Sequence, residues 1–157
     1  MTISIPPFER FRKNHLGGRL ITFDPGQTTG YSIWDDAHLV EADQLPTNEV
    51  RDSVRWLRDW IEWKKPVWVV IEEYRIYSWK TESHAWSDIH TIRLIGCLET
   101  LLTLYGARYS MQGAGLAKTF ANDDKLEAWG YWKRGQKHAR DAIRHALYFY
   151  CTPPKEP

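Results

Sequence analysis

The sequence predicts a mixed α/β sheet in the order βββαβαβαα, and three observations carry that expectation. Leu20–Trp34 reads as a hairpin, with Leu20, Ile21 and Phe23 before the Pro25-Gly26 turn and Tyr31-Ser32-Ile33-Trp34 after it. Val67-Trp68-Val69-Val70-Ile71 is apolar at every position, as a strand covered on both faces must be. Stretches of helical period then separate and follow the strands. That alternation sets the first strand at the centre of the sheet, with helices on both of its faces.

Taken in order, residues 1–18 show no sustained period, carry Pro6-Pro7 and Gly17-Gly18, and read as a basic arm. After the hairpin, His38–Leu45 alternates loosely and adds a third antiparallel strand before Pro46. Thr47 or Asn48 caps a helix running to about Lys65. Val50, Val54, Leu57 and Ile61 line one face of it, and Trp56, Trp60 and Trp63 widen the apolar surface. Pro66 stops this helix, and the all-apolar strand follows, ending on Glu72-Glu73. A polar segment, Tyr74–Ser83, leads into a helix from about His84 to Tyr105. Ile92, Ile95, Leu98, Leu102 and Tyr105 stand there at core spacing, and Gly106 is the C-cap. Ala107–Met111 makes a fifth strand before a loop at Gln112–Gly115. A helix capped by Asn122 or Asp123 runs to about Trp132, and beyond Gly135 a last helix spans about Lys137–Tyr150. Residues 19–152 form a single domain in this reading, and 153–157 a tail.

Composition narrows the function classes. No apolar run approaches the roughly 20 residues that cross a bilayer, and no signal peptide is visible, so an intracellular, cytoplasmic protein without membrane partners is expected. Two cysteines, Cys97 and Cys151, lie in apolar helical patterns and suit core thiols rather than a disulfide or thiolate zinc site. The net charge of +1 hides an uneven distribution: Gly106–Tyr150 carries eight Lys or Arg against four Asp or Glu. That stretch and the arm are the candidate phosphate-facing surfaces.

Two strands end in acids, Asp24 and Glu72. Where such strands run parallel and adjacent, their carboxylates meet at one sheet edge, with neighbouring strands about 4.8 Å apart. In the last helix His138, Asp141 and His145 are spaced three and four apart and share a face, while Ile143, Leu147 and Tyr150 share another that can be buried. Singly, Asp24 reads as a turn cap, and His138 with Asp141 as a solvated helix face. Together they make an oxygen-rich set suited to Mg²⁺ or Mn²⁺ and poorly suited to zinc. Two such ions about 3.5–4 Å apart are known to activate water against a phosphodiester, the acids serving as ligands. His138 either orients that water or completes a metal shell. A zinc site at His84 and His90 is disfavoured, because six residues on one helix separate the side chains.

The Asp-Pro-Gly turn with Thr-Gly-Tyr close behind it, the Val-Ile-Glu-Glu strand end and the terminal His-Ala-Arg-Asp-Ala-Ile-Arg-His together resemble the RuvC family of Holliday junction resolvases. The match runs from about Leu20 to Tyr148. It implies a ribonuclease-H-like fold with Asp24, Glu72, His138 and Asp141 as the catalytic and metal-binding residues, and Glu73 outside the matched set. It further implies Mg²⁺ or Mn²⁺, with two ions per site, and no small-molecule cofactor. The implied partner is branched DNA, four-way junctions above all, cut by a homodimer with two sites. Two departures stand out. Only Gln27 and Thr28 separate Asp-Pro-Gly from Thr-Gly, one residue fewer than in bacterial members, and the family's aromatic wedge falls on Arg75. Tyr74, Tyr77 or Trp79 is then the residue to stack on an exposed base. The short chain is closest in pattern to bacteriophage resolvases, which implies an infected bacterial host as its setting.

Phosphate contacts are expected from Lys80, Lys118, Lys125, Lys133, Arg134, Lys137 and Arg140, with Tyr74, Arg75 and Tyr77 near the junction centre and Tyr131-Trp132 interleaved in the basic run. Two other readings remain open here. One is a nuclease of the same fold acting on forks, flaps or RNA/DNA hybrids, and the other is a junction-binding module without turnover.

Overall fold

The computed structural model describes residues 7–13, 16–75 and 85–152. Five strands, β1 (Arg19–Asp24), β2 (Thr28–Asp35), β3 (His38–Pro46), β4 (Trp68–Glu73) and β5 (Arg108–Gly113), form one sheet in the order β3-β2-β1-β4-β5. The first three make an antiparallel meander, and β4 and β5 add to it in parallel. The helices are α1 (Val50–Lys64), α2 (Ala85–Leu104), α3 (Ala114–Phe120), α4 (Asp123–Ala128) and α5 (Lys137–Cys151). The mixed α/β sheet with its central first strand is therefore as expected, with one short helix, α3, added where a loop leads on from β5.

Strand alternation divides the interior into two cores. Ile21, Phe23, Ile33, Val69 and Ile71 point to α1 and α2, meeting Leu57, Ile61, Leu94 and Leu98. Leu20, Trp34 and Val70 point the other way and meet Ile143, Leu147 and Tyr150 of α5. The second layer fixes the site, because α5 lies against β1 and β2. Ala139, Ala142 and Ala146, three and four apart, give α5 a buried face of small side chains. Thr22 of β1 donates its hydroxyl to the Ala142 carbonyl at 2.6 Å and so pins the helix along its axis.

Several details depart from the sequence reading. Ile95, Leu98 and Leu102 of α2 are buried as expected, but Leu94 joins them in the core while Ile92 and Tyr105, at the edges of the expected face, are exposed. Trp56 and Trp60 pack beside Tyr31, but Trp63, one turn beyond, is exposed. The helix expected to reach Trp132 ends at Ala128, and Tyr131 packs edge-on against Phe8 within the α5 core. Phe8 itself is fully buried and the Lys13 amide donates to the Tyr150 carbonyl at 2.8 Å, so the arm is packed against α5 at Phe8 and Lys13. Cys97 and Cys151 are both free thiols. Among the described residues no helix is long and apolar enough to cross a membrane.

Candidate active site

The site is built where β1 and β4 end side by side. Their register pairs Phe23 with Ile71, which brings Asp24 and Glu72, the next residue on each strand, to the same edge. Alternation sends both side chains toward α5, where Asp24 reaches His138 and Glu72 reaches His145. Glu73 takes the opposite direction and accepts Arg75 at 3.0 Å. Period two thus separates two adjacent glutamates that composition alone leaves equivalent.

Gly30 decides how close α5 comes. It stands across the ladder from Asp24, and a Cβ there would fall 1.9 Å from the His138 carbonyl oxygen and 2.7 Å from the Ala139 nitrogen. No side chain fits in that gap, so the first turn of α5 rests directly on β2. Gln44, the partner of Gly30 on β3, accepts the His138 amide at 3.1 Å, and Gln136 donates to Asp43 at 2.9 Å. The start of α5 is therefore tied to two strands before its side chains are considered.

Every acid in the site meets a basic or imidazole partner. Asp24, only 7% exposed, receives His138 Nδ1 at 2.7 Å. Glu72 meets His145 Nε2 at 2.9 Å, and the other ring nitrogen of His145 lies 3.0 Å from Gln112 of β5. Asp141 is held by Arg144 at 2.5 Å and faces Lys118 at 3.4 Å. Burial holds the Asp24 carboxyl above its ordinary range, and the negative charges of Glu72 and Asp141 add to the rise while the His138 hydrogen bond opposes it. The bond to Asp24 in turn raises His138, against the opposing effect of its own burial. The pair keeps its proton to higher pH than a free imidazole would.

Among the described residues no three His, Cys, Asp or Glu side chains are gathered as ligands of one ion. The donor set nevertheless fits a divalent cation in its chemistry. Asp24 and Glu72 end adjacent parallel strands and Asp141 follows one turn after His138 on α5, so hard oxygen donors converge from three elements, and a divalent cation there would relieve the repulsion that Glu72 and Asp141 exert on Asp24. Asp141 opens onto a groove of about 570 Å³ lined by Lys118, Lys137, Arg140 and Arg144, with Asn122, Asp123 and Asp124. Glu72 opens onto a second hollow of similar volume, between Tyr74 and Arg75 on one side and Leu116 and Thr119 on the other.

The expected DNA contacts are not all placed alike. Lys118 and Lys137 line the groove beside Asp141. Lys125 turns back to donate to the Phe120 carbonyl at 2.8 Å, capping α3, and Arg75 is engaged by Glu73. Tyr74 packs partly into the α2-side core, and Trp132 lies under the Arg140 guanidinium at 4.3 Å, still partly exposed. Tyr77, Trp79 and Lys80 lie outside the described residues. Sequence reasoning left His145 open and gave Arg144 no role, yet both are buried at the site. The signal was present as polar residues at 144 and 145, side by side in a helix otherwise rich in buried apolar positions.

A central β1 in a β3-β2-β1-β4-β5 sheet, crossed by a C-terminal helix that brings an acid to the strand ends, defines a ribonuclease-H-like fold with an acidic edge. Among solved structures the chain is similar to Thermus thermophilus RuvC in complex with a Holliday junction substrate, with a TM-score of 0.65 at 14% identity over 83% of this chain and 91% of that one. Thermus thermophilus RuvC in a second structure gives 0.61 at 15%, covering 83% and 92%. The yeast mitochondrial Holliday junction resolvase Ydc2 gives 0.60 at 12%, covering 92% and 83%. The fold of the chain is therefore RuvC-like. No protein-family model and no curated protein sequence matches it.

Proposed function

We propose that the chain is a divalent-cation-dependent, structure-selective endonuclease that resolves Holliday junctions and other branched DNA by paired phosphodiester hydrolysis. The observation that carries this reading is the convergence of Asp24 and Glu72 on the ends of adjacent parallel strands, with Asp24 bonded to His138 and Asp141 one turn further along α5, on a RuvC-like sheet. Asp24, Glu72, Asp141 and His138 would hold Mg²⁺ or Mn²⁺. Such ions, when bound, lower the pKa of water and stabilise the leaving oxygen of the cut strand. The chain's own residues position the substrate: Lys118, Lys137 and Arg140 meet backbone phosphates along the groove, and His138 holds a proton at Nδ1 against Asp24. In the overall reaction water adds to phosphorus as one P–O bond of the backbone breaks. A four-way junction presents two equivalent strands, so a two-fold dimer with one site per protomer suits it.

Asp24→Asn provides the test. It keeps the size of the side chain and an acceptor for His138 while removing the charge. Cleavage of a fixed four-way junction should fall on the order of 10³-fold or more, with junction binding retained. Undiminished cleavage by Asp24→Asn overturns the site. Preferential cutting of forks, flaps or RNA/DNA duplexes by the wild-type protein overturns the substrate but keeps the chemistry. Junction binding with no product in Mg²⁺ or Mn²⁺ leaves a binding module.

A further inference from the structure

We propose that Arg144 is a positioning residue that holds Asp141 with one oxygen toward the groove, an inference that rests on the nuclease reading above. Arg144 is 5% exposed and each of its three guanidinium nitrogens makes a bond. Nη1 donates to Asp141 Oδ1 at 2.5 Å, Nε donates to the Ala121 carbonyl at 2.8 Å where α3 ends, and Nη2 pairs with Asp123 at the start of α4. With Oδ1 taken, Oδ2 is the oxygen that Asp141 offers on the side of Lys118. The same fork joins α5 to the α3–α4 junction, whose Lys118, Asn122 and Asp124 form the opposite wall of the groove.

A buried guanidinium is costly to desolvate, and an apolar residue commonly fills such a position at least as well. Ile143 and Leu147 do so on the same helix. Stapling α3 to α4 requires only the bonds to Ala121 and Asp123. The third bond, to a nearly buried carboxylate at the site, serves the direction in which that carboxylate points. Lysine cannot replace it, because one ammonium does not span three acceptors in one plane.

The test titrates Mn²⁺ alone into the full chain, without DNA, following free Mn²⁺ by electron paramagnetic resonance. Wild type, Arg144→Gln, Arg144→Lys and Asp123→Asn are compared, with thermal unfolding as the check on folding. Partners that orient ligating carboxylates typically change metal affinity about 10–100-fold, so both Arg144 variants should bind Mn²⁺ at least about 10-fold more weakly. Asp123→Asn keeps the bond to Asp141 and should change affinity by less than about 3-fold, the range of a surface substitution. If Arg144→Gln fails to fold, Arg144→Lys carries the comparison. Unchanged Mn²⁺ affinity in folded Arg144→Lys overturns the proposal, as does absence of Mn²⁺ binding by the wild type. Wild-type protein that binds Mn²⁺ through Arg144-dependent geometry but cuts no branched DNA leaves this inference standing and removes the nuclease reading.

Discussion

Asp24 and Asp35 sit at opposite ends of the β1–β2 ladder and are held in opposite ways. Asp24 is pressed upward in pKa by burial and by neighbouring acids, whereas the Arg19 guanidinium, bonding both oxygens of Asp35 at 2.7 Å, holds that carboxyl below its ordinary range. A depressed carboxyl stabilises the fold above its unfolded pKa, near 3.9, and the contribution is lost as pH falls through the lower folded value. Because the pair is partly solvated, Asp35→Asn should cost only about 0.5 kcal/mol at pH 7. Urea unfolding at pH 7 and pH 3 measures it: the gap between variant and wild type should narrow at pH 3, and a gap that widens contradicts the assignment. At this scale the sequence was informative where period two applies. It placed Asp24 and Glu72 at the two strand ends, and their register and shared face follow from adjacent parallel pairing. It was silent on Arg144, because a charged residue in an amphipathic helix looks solvated until the helices that cover it are known.

Elements were legible where one packing demand dominates. An all-apolar β4 has a single solution, a central parallel strand, and α5 shows one apolar face beside one polar stripe. The face of α2 was legible at its centre, where Ile95, Leu98 and Leu102 are buried, but not at its edges. Its apolar residues surround the axis, so spacing alone does not say whether Leu94 or Ile92 turns inward; the sheet selects Leu94. Helix α3 was hidden for a different reason: seven residues beginning Ala-Gly-Leu have little intrinsic helicity, and tertiary contact with α5 supplies the rest. The tightest coupling between elements is at Gly30. Its φ lies outside the left-handed region that disfavours side chains, so Gly30→Ala has no backbone cost and its effect is purely the collision with the His138 carbonyl. Overpacking of this kind costs about 1–3 kcal/mol, read as a lowered urea midpoint. Because the shift that relieves the clash moves His138 and Asp141 away from Asp24, junction cleavage should fall by more than the loss of folded protein explains. Full specific activity per folded molecule would show that the close seating of α5 is structural only.

At the scale of the molecule, the proposed function assigns one strand cut to each acidic edge, and paired cutting of a junction then needs a second copy related by two-fold symmetry. We propose α2, the helix whose sheet-facing side is already filled, as the surface for that copy. Trp86 is 84% exposed with Ile89 beside it near the start of the helix, and Leu104 is 76% exposed at its end, so large apolar side chains stand on the outer side of both ends of α2. A charge on this surface should separate the protomers without touching the site, since Ile89 and Leu104 are among neither the groove-lining nor the acid-contacting residues. Light scattering of the wild type should give twice the 18.5 kDa chain mass, and Ile89→Glu with Leu104→Glu should give the single-chain mass. Activity then discriminates further on a supercoiled plasmid carrying an extruded cruciform. Two coupled cuts within one complex yield linear product, whereas independent monomers release nicked circles first. The charged variant should therefore shift product from linear to nicked while retaining the nicking chemistry. A wild type that is monomeric with junction bound, or a charged variant that still linearises the plasmid as a dimer, would place the two-fold contact elsewhere or remove it.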